Sequence, residues 1–147
     1  MFICTGNTCR SVMAHYYAAK SASDRKLDIK VISSGLQIDK DAPMPAAIRT
    51  IFKKEGIPEV SHAPAKMTAE MVKEAGLILA MTRAQKAEII ELFPEAKDKV
   101  HAFVEYAGFG SADVADPYGR EEIFYFEAFR LIKKAVEAVF NRLQEKK

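Results

Sequence analysis

The chain is expected to adopt an α/β fold, a three-layer α/β/α sandwich on a four-stranded parallel sheet, and three observations predict it. Strand-like apolar runs alternate with segments of helical period along the 147 residues. The run GLILAMT, 76–82, is apolar without interruption, as in a strand covered on both faces. The β-α-β-α order joins parallel strands by crossovers and lays helices on both sides of the sheet. The length reads as a single domain, residues 1–147, able to bury one core.

The elements follow in order. Residues 1–4 read as a short strand and 10–22 as a helix, with Val12, Met13, Tyr16, Tyr17 and Ala19 near one face. LDIKVISS, 27–34, alternates like a strand and stops at Gly35. A loop with Pro43 and Pro45 leads into a helix over about 45–55, closed by Gly56 and Pro58. Thr68 suits the N-cap of a short helix that buries Met71 and Val72. After GLILAMT a helix covers about 83–92, and KVHAFVEY, 99–106, supplies the fourth strand. A glycine-containing loop, 107–120, precedes a long helix over about 121–145. Its Phe124-Tyr125-Phe126 run reads as core packing, and its end through Lys146 and Lys147 as a solvated terminus complementing the helix dipole.

Composition narrows the function. The chain is 49% hydrophobic and 29% charged, ordinary for a globular protein. A net charge of +2 with both signs interleaved argues against a nucleic-acid surface. No apolar run approaches the roughly 18 residues of a membrane span. Met1 runs straight into a strand, so no signal peptide is expected, and Cys4 and Cys9 share one loop and cannot staple distant parts. The expected compartment is the cytoplasm, and the expected state a monomer or weak dimer. His15, His62 and His101 lack metal-ligand spacing and read as isolated structural or exposed residues; no metal or cofactor is expected.

The chemistry concentrates in Cys4-Thr5-Gly6-Asn7-Thr8-Cys9-Arg10, a Cys-x5-Arg segment between a strand and a helix. Loop N–H groups followed by the free N–H groups of a helix start form a cradle for a tetrahedral oxyanion, an N-terminal phosphate-binding loop. Arg10 adds a planar fork that holds two phosphate oxygens. The same field favours thiolate over thiol at Cys4, which is then placed to attack phosphorus. Gly6 suits a close approach or a left-handed turn, and Asn7 also tolerates that turn. Ser11 can donate to the thiolate or cap the helix. Cys-x5-Arg is short enough to arise by chance, and the second half of the site is a proton donor for the leaving group. The 107–120 loop carries Asp113 and Asp116; Pro117 restricts Asp116, and Tyr118 can wall a pocket.

CTGNTCRS with ADPYG about a hundred residues later resembles the low-molecular-weight protein tyrosine phosphatase family over essentially the whole chain. The resemblance implies Cys4 as nucleophile, Arg10 as phosphate and transition-state ligand, and Asp116 as general acid and then base. It implies that Thr5, Gly6, Asn7, Thr8, Cys9 and Ser11 complete the phosphate loop, with Ser11 assisting the thiolate. Asn7 holds the loop in shape, with Ser33 and His62 as hydrogen-bonding supports. Cys9 matches a neighbouring cysteine that forms a reversible disulfide with the nucleophile.

Tyrosine-directed members usually carry Ile where this chain has Thr8, and Thr there resembles the bacterial protein arginine phosphatase branch. A hydroxyl on the pocket wall suits a guanidinium with several N–H donors better than a phenyl ring. DKVHAFVEY and DVADPYG also resemble that branch. The expected partners are phosphorylated proteins carrying phosphoarginine, or phosphotyrosine as the alternative, with Thr8 and Tyr118 setting the choice. The family usually reads Arg-Ser-Pro-Met-Ala-Glu; here Val12 replaces Pro and His15 replaces Glu, and His15, one helical turn beyond Ser11, can face the site but is expected rather at the surface or in packing. Two other readings are weaker. An arsenate reductase needs a relay of further cysteines, and none follows Cys9. A non-catalytic phosphate-binding module needs neither Cys4 nor Asp116.

Overall fold

Three-residue strands set the frame of the computed structural model, which describes residues 1–145; the expectation for Lys146 and Lys147 lies outside them. The order is β1 (Phe2–Cys4), α1 (Arg10–Asp24), β2 (Ser33–Gly35), α2 (Ala46–Lys54), α3 (Ala69–Glu74), β3 (Ile78–Ala80), α4 (Arg83–Leu92), a 3-10 segment (Pro94–Lys99), β4 (Val100–Ala102), α5 (Phe103–Tyr106) and α6 (Glu122–Glu145). All strands are parallel, in the order β2-β1-β3-β4.

Side chains alternate across a strand, and both faces of this sheet are covered. Phe2, Cys4, Leu79 and Met81 join Val12, Met13, Phe129 and Ile132 from α1 and α6 in one apolar cluster. Ile3, Ile78, Ala80 and Val100 join Val72 and Ile89 from α3 and α4 in the other. Two clusters on opposite faces of one sheet make three layers, as the alternation of elements requires. Phe103 is fully buried and meets Phe2 edge-on at 5.2 Å between ring centres.

Local chemistry fixes the helix starts. The Thr82 hydroxyl accepts from Gln85 N at 3.0 Å while Gln85 Oε1 accepts from Thr82 N at 3.0 Å, a reciprocal cap for α4. Thr68 Oγ1 accepts from Met71 N at 3.1 Å and starts α3.

Three expected strands are shorter than their sequence patterns, GLILAMT pairing only over Ile78–Ala80. Of 27–34 only the end pairs, because β1 offers three residues as partner, Phe2 through Cys4 opposite Ser33 through Gly35. Asp28, Ile29 and Lys30 remain exposed beyond that edge. KVHAFVEY divides: Val100–Ala102 pairs with Ile78–Ala80, and Phe103–Tyr106 then turns into α5, sinking Phe103 and Val104 into the core.

The strand order reverses beside β1. The chain leaves β1 for β2 on one side and crosses back to β3 on the other, so their carboxyl ends open a crevice. Cys4 is the last residue of β1 and lies at that crevice. No helix among the described residues is long and apolar enough to cross a membrane.

Candidate active site

The loop between β1 and α1 turns on Asn7. It is wholly buried and adopts φ +55°, the left-handed conformation that a short polar side chain tolerates. Residue type alone leaves that turn open between Gly6 and Asn7; Gly6 shows no positive φ, and a Cβ added to it would meet only Thr8 Oγ1, at 3.7 Å. The close approach falls instead on Gly35 at the end of β2. A Cβ there would lie 2.7 Å from the Thr5 carbonyl oxygen and 3.1 Å from Asn7 N.

Asn7 spends every polar group on the site. Its N–H points at Cys4 Sγ at 3.3 Å. Its Nδ2 donates to Ser11 Oγ at 2.8 Å and to Ser33 Oγ at 3.1 Å, and its Oδ1 accepts from Ala65 N at 3.0 Å. Its carbonyl accepts from His62 Nε2 at 2.8 Å, while His62 Nδ1 meets the Tyr16 hydroxyl at 3.1 Å. Since Asn7 already donates to Ser11, the Ser11 hydroxyl proton is free to turn to Cys4 Sγ, 2.9 Å away. The two options for Ser11 are thereby separated: it faces the sulfur, and α1 has no side-chain cap.

Arg10 opens α1 and is only 6% exposed. One guanidinium nitrogen donates to the Val114 carbonyl at 3.0 Å, and the other lies 3.6 Å from Asp116 Oδ2. Two further contacts fasten this loop: Val114 N donates to Met81 O at 2.9 Å, and Asp113 Oδ1 accepts from Arg83 N at 2.8 Å. Of the two carboxylates, Asp113 is thus spent on anchoring, and Asp116 faces Arg10. The Asp116 side chain is 55% exposed, and its Oδ1 accepts from Tyr118 N at 3.1 Å.

These groups line a cleft of about 270 Å³. Cys4, Thr5, Gly6, Thr8, Cys9 and Arg10 form one side, Gln37, Asp39 and Ala42 another, and Asp116 with Tyr118 the third. Tyr118 is 60% exposed at the rim. A larger cavity, about 360 Å³ beside α2, is lined by Met44, Phe52, Ile57 and Val60 and holds no nucleophile.

Burial pushes the Cys9 thiol up to about 11, and its sulfur sits 3.7 Å from Thr8 Oγ1. Both cysteines are free and buried. Of the places open to His15, it combines packing with a position behind the phosphate loop: it is half-buried, its ring stacks on Tyr16, and its Nδ1 lies 2.8 Å from Ser33 Oγ. Burial first, then the neighbouring His62 and the amino terminus, push His15 down to about 4. Nor are His15 and His62 isolated, since Tyr16 lies between them and touches both rings. Gln85 is a further residue that sequence reasoning missed: besides capping α4 it donates to Thr5 Oγ1 at 3.1 Å. The Thr82-x-x-Gln85 capping pattern was the available signal.

The arrangement is a sulfur with a hydrogen-bond donor at each side, a buried guanidinium, a carboxylate over the cleft and a polar wall. That set can bind a phosphoryl group and transfer it. The family model described as "Low molecular weight phosphotyrosine protein phosphatase" matches residues 1–147. A protein-arginine-phosphatase of Geobacillus stearothermophilus is 34% identical over 99% of this chain and 93% of its own length. A probable low molecular weight protein-tyrosine-phosphatase of Ralstonia nicotianae is 31% identical over 98% and 94%. The solved structure of an arginine phosphatase from Geobacillus stearothermophilus superposes with a TM-score of 0.89 at 31% identity, covering 99% of this chain and 92% of that one.

Proposed function

Since the chain belongs to the low molecular weight phosphotyrosine protein phosphatase family, a family of cysteine-based phosphatases, we propose that it removes phosphate from arginine residues of proteins through a phosphocysteine intermediate. The observation that carries the catalytic half is Cys4 Sγ flanked by Asn7 N at 3.3 Å and Ser11 Oγ at 2.9 Å, in the same cleft as Arg10 and Asp116.

In this reading the Cys4 thiolate attacks phosphorus while Arg10 and the loop N–H groups hold the equatorial oxygens. The phosphorus–nitrogen bond breaks, its electron pair passes to the guanidine nitrogen, and Asp116 delivers a proton there. Asp116, now a carboxylate, takes a proton from water as that water attacks the phosphocysteine; phosphate leaves and the thiolate returns. Ser11 donates to the sulfur as it becomes the leaving group.

The preference for arginine rests on the cleft wall. Thr8 places a hydroxyl where an aliphatic side chain would favour a phenyl ring, Asp39 adds a carboxylate that suits a cationic guanidinium, and the Asp116 carboxyl can accept from its N–H groups before protonating the leaving nitrogen. Cys9 serves as a redox guard: peroxide oxidises Cys4 to a sulfenic acid, Cys9 sulfur displaces its oxygen as water, and a thiol reductant restores both.

The test compares kcat/KM on phosphoarginine and phosphotyrosine peptides for wild type and Thr8→Ile. Wild type is expected to prefer phosphoarginine, and Thr8→Ile to move the ratio toward phosphotyrosine by roughly tenfold, the worth of one polar contact. A wild-type preference for phosphotyrosine, or a ratio unmoved by Thr8→Ile, defeats the arginine assignment. Cys4→Ser is expected to abolish turnover while phosphate still binds.

A further inference from the structure

Four hydrogen bonds run in line from the reactive sulfur to a side chain outside the cleft. Cys4 Sγ to Ser11 Oγ is 2.9 Å, Ser11 Oγ to Asn7 Nδ2 is 2.8 Å, Asn7 Nδ2 to Ser33 Oγ is 3.1 Å, and Ser33 Oγ to His15 Nδ1 is 2.8 Å. Donors and acceptors can be assigned throughout. The Asn7 amide must present oxygen to Ala65 N–H, so its NH2 end faces both serines and donates twice. Each serine oxygen therefore accepts from Asn7 and has its own proton to place elsewhere. Ser11 places it on Cys4. Ser33 is buried, and the partner in reach of its proton is His15 Nδ1.

We infer that His15 is a positioning residue for the nucleophile: as a neutral acceptor it takes the Ser33 proton and so holds the Ser33 oxygen as the acceptor for Asn7 Nδ2, which, with Ala65 N–H on the amide oxygen, keeps Asn7 donating to Ser11 and the Ser11 proton on Cys4. The inference rests on the reading of Cys4 as nucleophile. His15 occupies the place at which the family resemblance leads one to expect a glutamate, so here the acceptor is an imidazole in place of a carboxylate. Its surroundings keep the ring neutral. Tyr16 stacks on it at 4.2 Å, and the charged or titratable groups facing it are His62 and the Met1 amino terminus, both of which disfavour a proton on the ring. Protonated, Nδ1 would become a donor and leave the Ser33 proton without its acceptor inside the protein.

The test separates the acceptor from the ring. His15→Phe keeps the stack on Tyr16 and removes the acceptor; His15→Asn removes the ring and keeps an acceptor at the δ position. Two readouts are taken on the full chain: kcat on a phosphoarginine peptide, and the rate at which iodoacetamide alkylates Cys4 at pH 6, followed by peptide mass spectrometry. His15→Phe is expected to lower both by roughly five- to tenfold, the equivalent of one neutral hydrogen bond, with KM little changed. His15→Asn is expected to restore both to within about twofold of wild type. Should His15→Phe fail to fold, His15→Leu, also without an acceptor, carries the same two readouts. Variants without an acceptor that match wild type, or a His15→Asn as impaired as His15→Phe, overturn the inference. If wild type itself neither turns over nor is alkylated at Cys4, the phosphatase reading fails instead.

Discussion

Helix α1 is fastened at both ends by polar clusters, and the two are built from opposite materials. At its start, Asn7, Ser11, Ser33, His15 and His62 form a network of an amide, two hydroxyls and imidazoles, with no carboxylate and no lysine or arginine. Near its end, Glu137 of α6 accepts from the Tyr17 and Ser21 hydroxyls, each at 2.7 Å, and pairs with Arg25. Burial pushes Glu137 up, but the bonds from Ser21, Arg25 and Tyr17 outweigh it and hold the carboxyl below its usual range. Burial together with the Glu137 carboxylate pushes the Tyr17 phenol far up in turn. The difference follows from what each end must do. With His15 standing where the family resemblance leads one to expect a glutamate, the groups behind the phosphate loop are neutral dipoles that orient donors toward Cys4. Between two helices no anion arrives, and an ion pair serves as a clasp.

The sharpest way to break this contrast is to cut each network once and read both stability and turnover. Ser11→Ala removes the hydroxyl aimed at Cys4 and leaves the packing nearly intact. It is expected to lower kcat by about 10- to 100-fold, a charge-assisted bond of roughly 1.5–3 kcal/mol, with Tm within a few degrees of wild type. Glu137→Ala should show the reverse. Arg25, Tyr17 and Ser21 lose their common partner at a half-exposed site, so unfolding by urea should register a loss of about 2 kcal/mol while kcat stays within about twofold. A Glu137→Ala enzyme that is stable but slow would erase the distinction.

Gly35→Ala gives an intermediate case. The added methyl would sit 2.7 Å from the Thr5 carbonyl oxygen, in backbone that the phosphate loop uses. Crowding of that kind costs about 1–3 kcal/mol, and it should appear in both measurements, as lower Tm and weaker phosphate binding.

A pH dependence reads the same network through its charge state. His15 titrates near 4 in the folded protein against an ordinary value of 6.5, so below pH 6.5 the unfolded chain binds a proton that the folded one does not. Stability therefore falls as pH drops from about 6.5 to 4, and His15→Asn should flatten that part of the Tm-against-pH curve relative to wild type. Identical slopes would show that His15 is not held neutral by the fold.

These contrasts also explain what the sequence could and could not reveal. Cys4, Arg10 and Ser11 are legible because one short loop and one helical turn fix them relative to one another, and Asp116 because Pro117 marks its loop. Asn7 is half legible: residue type restricts the left-handed turn to Gly6 or Asn7, and only the packing of Gly35 and Ala65 around the loop selects between them. His15, Gln85 and Gly35 act through partners 18, 80 and 30 residues away in the chain (15 to 33, 85 to 5, 35 to 5), and local patterns do not record such crossings. Strand lengths exceed what pairs for the same reason: 27–34 has the right alternation, but β1 has only three residues with which to pair it.

The most direct test of Cys4 as nucleophile is to find the intermediate. Enzyme mixed with a phosphoarginine peptide, quenched within a turnover and digested, should carry one phosphoryl group on the peptide containing Cys4, bound at its sulfur. It should accumulate further in Asp116→Ala on a substrate whose leaving group needs no proton, because the base that activates water is gone. Turnover without any phosphoryl group on Cys4, or with it on another residue, would contradict the assignment of Cys4 as nucleophile and, with it, the catalytic purpose of the network around Asn7.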